Sequence, residues 1–393
     1  MDRQQSVAQA IGTSYRTVSA EQTFAEVQKM AMHFGITRLA DITHLDTIGI
    51  PVYQCIRPNS RTLSVSQGKG LTPLEAKVAA LMEAVESWHA EDPLLVRCCQ
   101  SISTLRSGGE LVIDVEALPK IKPHEIDLKR RLNWLQGRDL TTDSAIWVPS
   151  EIVCLDRTRP SSEYTGILQR TSIGLASGNN VLEATLHALY EIIERDCYAS
   201  WIARSGSGLQ NSIWYQIETL PHRACELAQK IRKANCHIEL GNITNDLDVP
   251  CYQCLITATE EDEFGPSYAW GMGCHLDPEV GLLRAICEAA QVRLTLIAGS
   301  RDDLTEADYD HFFDKSLLSY FQKQFQNVNR NGWQTPNELS PRSLDDQIAC
   351  CRDRLSAQGH SRIVLLDLTR KDVGISVVKL VVPGMRAPQN MES

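Results

Sequence analysis

A mixed α/β fold is predicted by two features of the 393-residue sequence. Alternating and β-branched runs repeatedly give way to segments of helical apolar period. In addition, one strand–turn–helix pattern occurs three times. The first copy, SVSQGKGLTPLEAKVAALMEAVESW, spans residues 64–88. It reads as a short strand, a break at Gly68-Lys69-Gly70, and a helix from near Pro73. Pro suits the first helical turn, where its missing N–H would have had no partner. The second copy is ILQRTSIGLASGNNVLEATLHALYEIIERD, residues 167–196, and the third is SYAWGMGCHLDPEVGLLRAICEAAQVRL, residues 267–294.

Carrying Glu83 onto Glu191, a shift of 108, also places Leu74 on Leu182, Glu75 on Glu183, Ala76 on Ala184, Ala80 on Ala188, Leu81 on Leu189 and Glu86 on Glu194. Carrying Glu191 onto Glu288, a shift of 97, places His187 on Arg284 and Glu194 on Gln291. A repeat kept only for packing would preserve its apolar face best. This one preserves acids, which points to a shared site.

The remaining elements follow in order. Residues 1–20 are polar, with 1–15 expected to be flexible. SAEQTFAEVQKMAMHFGI carries Phe24, Val27, Met30, Ala31 and Phe34 at helical spacing and predicts a helix stopped by Gly35. Residues 36–66 alternate as strands, and a polar stretch to about residue 110 follows the first repeat helix. The run from 111 into the second repeat reads as mixed strands and turns. Residues 220–262 fit helix, strand, loop, strand. Residues 303–345, with Phe312, Phe313, Tyr320, Phe321 and Phe325, read as helical, and SRIVLLDLTRKDVGISVVKLVVPG as two apolar strands. No Pro- or Gly/Ser-rich linker divides the chain, so a single domain over 16–384 with a short tail, 385–393, is expected.

Charge and cysteine usage bound the function. The net charge of −10 and pI near 5.5 speak against a nucleic-acid surface. No apolar run reaches the length of a membrane span and MDRQQSVAQA has no apolar signal segment, so a cytoplasmic protein is expected. Of 13 cysteines, Cys98-Cys99 and Cys350-Cys351 are adjacent pairs, and Cys251 and Cys254 form a lone CxxC in a strand-like run. Without a second ligand pair, buried small hydrophobes in a reducing cell explain them better than zinc.

The acids carry the chemistry. On the second repeat helix Glu183, His187, Glu191 and Glu194 fall at i, i+4, i+8 and i+11 and share one side, as do Arg284, Glu288 and Gln291 on the third. Three such helices around one centre bring several carboxylates together. Left alone these would repel and take up protons. A hard divalent cation such as Mg²⁺ resolves that, because it takes oxygen ligands and bridges carboxylates to phosphates. The bland alternative, a solvated acidic helix face, explains any one pair but not the repeated set. Gly68-Lys69-Gly70 is not a Walker loop, although a lysine beside such acids suits a phosphate.

These motifs resemble those of the YcaO domain, an ATP-binding family that activates peptide-backbone amides. The resemblance covers about residues 16–384 and implies the YcaO fold. GKG followed by ALMEAVES is similar to the first family motif, implying that Glu83 and Glu86 bind Mg²⁺ and phosphates. SGNNVLEATLHALYEIIERD is similar to the second, implying nucleotide or metal roles for Asn179, Glu183, Glu191, Glu194 and Arg195. RAICEAAQ resembles the third, implying roles for Arg284, Glu288 and Gln291. Arg16 and Thr23 fit the family's basic residue followed seven positions later by a hydroxyl, and Lys69 completes the expected nucleotide contacts. Implied cofactors are ATP and Mg²⁺, and a homodimer is implied as well.

The chain ends VVPGMRAPQNMES, without the Pro-rich PxPxP tail of ring-forming members, and shows no E1-like or peptide-clamp domain. It therefore resembles the branch that works with a TfuA-type partner and a sulfide donor to install thioamides in a peptide or protein. The alternatives are an azoline-forming cyclodehydratase and a non-catalytic ATP-binding accessory protein in ribosomal-protein methylthiolation.

Overall fold

The computed structural model describes residues 9–11, 14–121, 124–160, 164–205, 209, 212–259, 265–326, 328–335 and 343–386. The expected flexible N-terminus falls largely outside these residues, and the tail is described only to Arg386. The described part opens with a hairpin of β1 (Gln9–Ile11) and β2 (Ser14–Arg16). Helix α1 (Ala20–Lys29) starts in a capping box between Ser19 and Gln22. It stops at Lys29, short of the expected Gly35. From Met30 the backbone tightens into turns, with Ile36 N–H donating to Ala31 O at 2.9 Å and Gly35 in the left-handed region at φ 72°.

An antiparallel sheet of β3 (Arg38–Asp41), β4 (Val52–Ile56) and β5 (Val65–Lys69) leads into α2 (Pro73–Glu91). One correction concerns its end: Gly68 and Lys69 are not a turn. They remain in the ladder opposite Tyr53 and Val52. The polar stretch thereafter holds β6 (Arg97–Ser101) and α3 (Ile102–Ser107), which alternation did not reveal because the strand is mostly exposed. Then come β7 (Arg131–Asp139), β8 (Ala145–Pro149), β9 (Leu175–Gly178) and α4 (Val181–Ser205). They are followed by β10 (Ile213–Tyr215), α5 (His222–Lys233), β11 (Cys236–Asn242), β12 (Cys251–Ala258), β13 (Tyr268–Cys274) and α6 (Pro278–Ala298). The chain closes with α7 (Glu306–Phe313), α8 (Ser316–Gln326), β14 (Arg330–Asn331), α9 (Leu344–Ala357), β15 (Val364–Asp367) and β16 (Ser376–Val381).

The three repeats are physically one unit. Their helices begin at Thr72, Asn180 and Asp277, which are spaced by the same 108 and 97 positions as the acids. Each of these side chains accepts a backbone N–H of the first turn: Glu75, Glu183 and Glu279. Each repeat strand lies flat on its own helix. A Cβ on Gly68 would stand 2.0 Å from Ala80 N and 2.3 Å from Ala76 O. At the matching Gly273 it would meet Gly281 O at 2.1 Å and Ala285 N at 2.5 Å.

Sheet order explains why the repeats meet. The sheets run β3-β4-β5, β6-β7-β15-β16-β9 with β8 on β7, and β13-β12-β11-β10-β14. Each repeat strand is thus the edge of a different sheet. The helices then pack in a ring: α2 touches β9, α4 touches β13, and α6 touches β5. Apolar clusters fill the space behind each unit, and Cys251 and Cys254 point into two different ones. Within the described residues no helix is long and apolar enough to cross a membrane.

Candidate nucleotide and metal site

Each repeat helix turns its second and third polar positions toward the middle of the ring. Glu83 is open to the central cleft, and one oxygen accepts the Gln67 N–H of its own strand at 3.2 Å. In the second unit Glu191 makes the matching bond with Gly174 N–H at 2.9 Å. The next acid along each helix reaches across. Glu86 accepts the backbone N–H and hydroxyl of Ser177 at 2.8 and 2.7 Å, and Glu194 accepts the N–H of Cys274 at 3.1 Å. Ser177 and Cys274 are themselves 97 positions apart. In the third unit Glu288 binds Lys69 Nζ at 2.7 Å, while Gln291 takes the place of Glu86 and Glu194.

The five carboxylates form one electrostatic chain. Burial pushes Glu86 up to about 8, and the charges of Glu83 and Glu191 add to it against the Ser177 hydrogen bonds. Burial and the charge of Glu288 push Glu194 up to about 7. Glu288, half-buried, also meets a desolvation cost, but Lys69, Arg195 and Arg284 outweigh it and hold its pKa below the usual value. Arg195 stands 3.8 Å from both Glu194 and Glu288. Two of the counter-charges on Glu288, Lys69 from β5 and Arg195 from α4, therefore arrive from the other two units.

Arg284 contacts His187 Nε2 at 3.4 Å. Glu183 has another setting. Its side chain is sealed from solvent and accepts Arg16 Nη1 at 3.3 Å, the Thr17 N–H at 2.6 Å and both nitrogens of Asn179 at 3.1 and 2.9 Å. Arg16 and the Thr17 hydrogen bonds overcome its burial and lower its pKa. Leu71 N–H reaches Glu75 in the matching way at 2.9 Å, so this position in both copies closes a helix start. Thr23 donates to Asn179 Oδ1 at 2.7 Å.

A cavity of about 220 Å³ opens beside that pair, lined by Gln22, Thr23, Met30, Met82, Asn179 and Ile375 among others. A larger one, about 350 Å³, lies at the far end of α2 around Arg57, Trp88, Glu91 and Arg370 and contains none of the expected site residues. The smaller cavity is lined by two of the expected site residues, Thr23 and Asn179. Ser177, Thr17, Asn180 and Arg301, whose charge reaches Glu83, belong to the same surroundings. Sequence reasoning missed them as site residues: none lies on an acidic helix face, and only the ring packing brings them in.

The donor set tests the expected metal. Among the described residues no three His, Cys, Asp or Glu side chains stand close enough to hold an ion by themselves. Carboxylate pairs facing a cationic wall fit Mg²⁺ nonetheless, since it usually takes one or two carboxylates together with phosphate oxygens and waters.

A family model described as YcaO cyclodehydratase, ATP- and Mg²⁺-binding, matches residues 67–386. An uncharacterized protein in the tfuA 3′ region of Rhizobium leguminosarum bv. trifolii is 33% identical over 374 residues, covering 94% of this chain and 88% of its own. The structure of YcaO from Methanopyrus kandleri bound with AMPPCP and Mg²⁺ superposes with a TM-score of 0.74 at 20% identity, covering 97% of this chain and 94% of that one. A heterocyclase in complex with substrate and cofactor gives a TM-score of 0.77 at 22% identity, covering 98% of this chain. The chain spans about half of that protein, 55% of its length.

Proposed function

The chain belongs to the YcaO family, and from that premise we propose that it installs a thioamide in a peptide backbone, using ATP and Mg²⁺ and assisted by a TfuA-type partner. The observation that carries the reading is the single coupled set of Glu83, Glu86, Glu191, Glu194 and Glu288 walled by Lys69, Arg195 and Arg284. The tfuA-region setting of the Rhizobium relative supports the partner and, with it, thioamide over azoline.

An amide oxygen is a poor leaving group until phosphorylated. A sulfur nucleophile adds to the peptide carbonyl, the resulting oxyanion takes the γ-phosphoryl group of ATP, and phosphate departs with the former amide oxygen. Phosphoryl transfer asks mainly for positioning and charge neutralisation. Glu83, Glu86, Glu191, Glu194 and Glu288 would hold Mg²⁺, which supplies neutralisation of phosphate charge. Lys69, Arg195, Arg284 and Gln291 meet phosphate oxygens. Arg16, Thr23 and Asn179 face the nucleoside end, beside the smaller cavity. Glu183, sealed behind them, orients Arg16 and Asn179 without touching the nucleotide.

The test is incubation with ATP, Mg²⁺, sulfide, the partner and candidate peptides. A mass gain equal to sulfur minus oxygen supports the thioamide. Loss of one water makes the protein an azoline-forming cyclodehydratase. Nucleotide binding with no peptide change makes it an accessory protein. The reading includes a cytoplasmic homodimer, which sedimentation of the purified chain and cell fractionation check.

A further inference from the structure

One position is in register on all three repeat helices: Ala79 on α2, His187 on α4 and Arg284 on α6. The last two meet, with Arg284 Nη2 3.4 Å from His187 Nε2. A guanidinium has donors only, so the imidazole nitrogen facing it is the acceptor. That fixes the neutral tautomer, with its proton on Nδ1. Nδ1 is buried and has no hydrogen-bond partner among the described residues. Leaving a buried donor unpaired forfeits its hydration with nothing in return, so its presence calls for an explanation beyond packing.

The surroundings supply one. Glu194 and Glu288 feel the charge of Arg284, yet among the described residues no carboxylate lies within ion-pair distance of it. Its side-chain hydrogen bond runs to a neutral ring instead. Burial, and then Arg284, Arg16, Lys69 and His275 facing the ring from α6, β2, β5 and the end of β13, keep that ring unprotonated. A cation left without a carboxylate beside five acids remains available to an anionic ligand.

We propose that His187 is a positioning residue of the nucleotide site: its Nε2 lone pair holds the Arg284 guanidinium away from Glu194 and Glu288 and keeps it available for polyphosphate. The inference rests on the nucleotide reading given above. It requires that His187 act through Arg284 and nothing else.

Binding of AMPPCP with Mg²⁺, followed by calorimetry, tests this without a peptide or partner. His187→Ala is expected to weaken binding about tenfold, a change of about 1.4 kcal/mol. His187→Gln, whose amide oxygen can take the place of Nε2, restores most of it. In an Arg284→Ala background His187→Ala adds no further loss. Additive losses, failure of Gln to rescue while the fold is intact by thermal unfolding, or unchanged binding by His187→Ala each overturn the proposal. No binding by the unaltered protein is a different result: it removes the nucleotide reading itself.

Discussion

Glu86 and Ser177 belong to different repeat units, and the carboxylate of the first takes both the backbone N–H and the hydroxyl of the second, at 2.8 and 2.7 Å. Glu194 repeats the contact one unit further on, against Cys274 N–H. The ring is therefore tied together by the same acids proposed to hold the metal. Glu86→Gln is expected to lower the affinity for Mg²⁺·AMPPCP at least about tenfold, because an amide is a weaker ligand for a hard cation. Ser177→Ala should cost less, about threefold, since the backbone donor stays. Titration calorimetry of the two variants decides, and wild-type affinity in Glu86→Gln would end the metal assignment for that residue.

The raised acids give the ligand-free protein an unusual pH response. Glu86 and Glu194 titrate near 8 and 7 in the folded chain, whereas a glutamate in the unfolded chain titrates near 4.3. The native state holds more protons between these values, so stability falls as pH rises, and the loss is complete only above about 8. His89 and His275, depressed by burial to about 4 and about 3, act in the opposite sense: their contribution is lost as pH falls below about 6.5. Urea midpoints should peak near pH 6.5 and decline toward pH 8.5. Mg²⁺·AMPPCP should abolish the alkaline decline and release protons on binding at pH 7. A profile that stays level or rises from pH 6.5 to 8.5 contradicts the burial of these two carboxylates.

The helix starts were legible because their chemistry is local: Thr72-Pro73 and Asp277-Pro278 announce themselves, and the acids keep register with them. The strand end at Gly68-Lys69 was not, since what holds those residues extended is the ladder to β4, whose partners Tyr53 and Val52 lie fifteen and seventeen residues away in sequence. Nor could spacing separate Glu183 from Glu191. Both sit on one helical face, but one is sealed by Arg16 and Thr17 from the N-terminal hairpin region and the other is not. The cations opposite the acids come from β5, α4 and α6, and no periodicity along a single helix records that.

The close seating of strand on helix predicts a sharp contrast among glycines. Gly68→Ala and Gly273→Ala each force a methyl group to within 2.1 Å of backbone atoms that cannot yield separately from the helix. Destabilisation beyond about 4 kcal/mol is expected, visible as insolubility or a collapsed urea midpoint. Gly332, whose added Cβ would meet nothing nearer than Thr219 Cγ2 at 3.9 Å, serves as the control and should tolerate alanine. Equal behaviour of the three variants would refute the packing argument.

At the far end of α2, Arg57 and Glu91 form an ion pair at 3.1 Å with side chains 4% and 9% exposed. Arg57 also donates to Phe34 O at 2.8 Å and Ala84 O at 3.4 Å, joining the turn after α1 to the last helical turns of α2. Removing the cation alone leaves Glu91 buried with, among the described residues, Ser60 Oγ and Arg61 N–H as its remaining donors. Arg57→Ala should therefore cost about 3–5 kcal/mol, and Arg57→Met with Glu91→Leu should cost much less, because the pair's desolvation is removed with its attraction. Neither residue belongs to the acid chain around Glu86, so Mg²⁺·AMPPCP affinity measured well below the melting temperature should stay within about threefold of wild type. Stability and nucleotide binding lost together would instead mean that the end of α2 sets the position of Glu83 and Glu86, and that the site depends on this ion pair for its geometry.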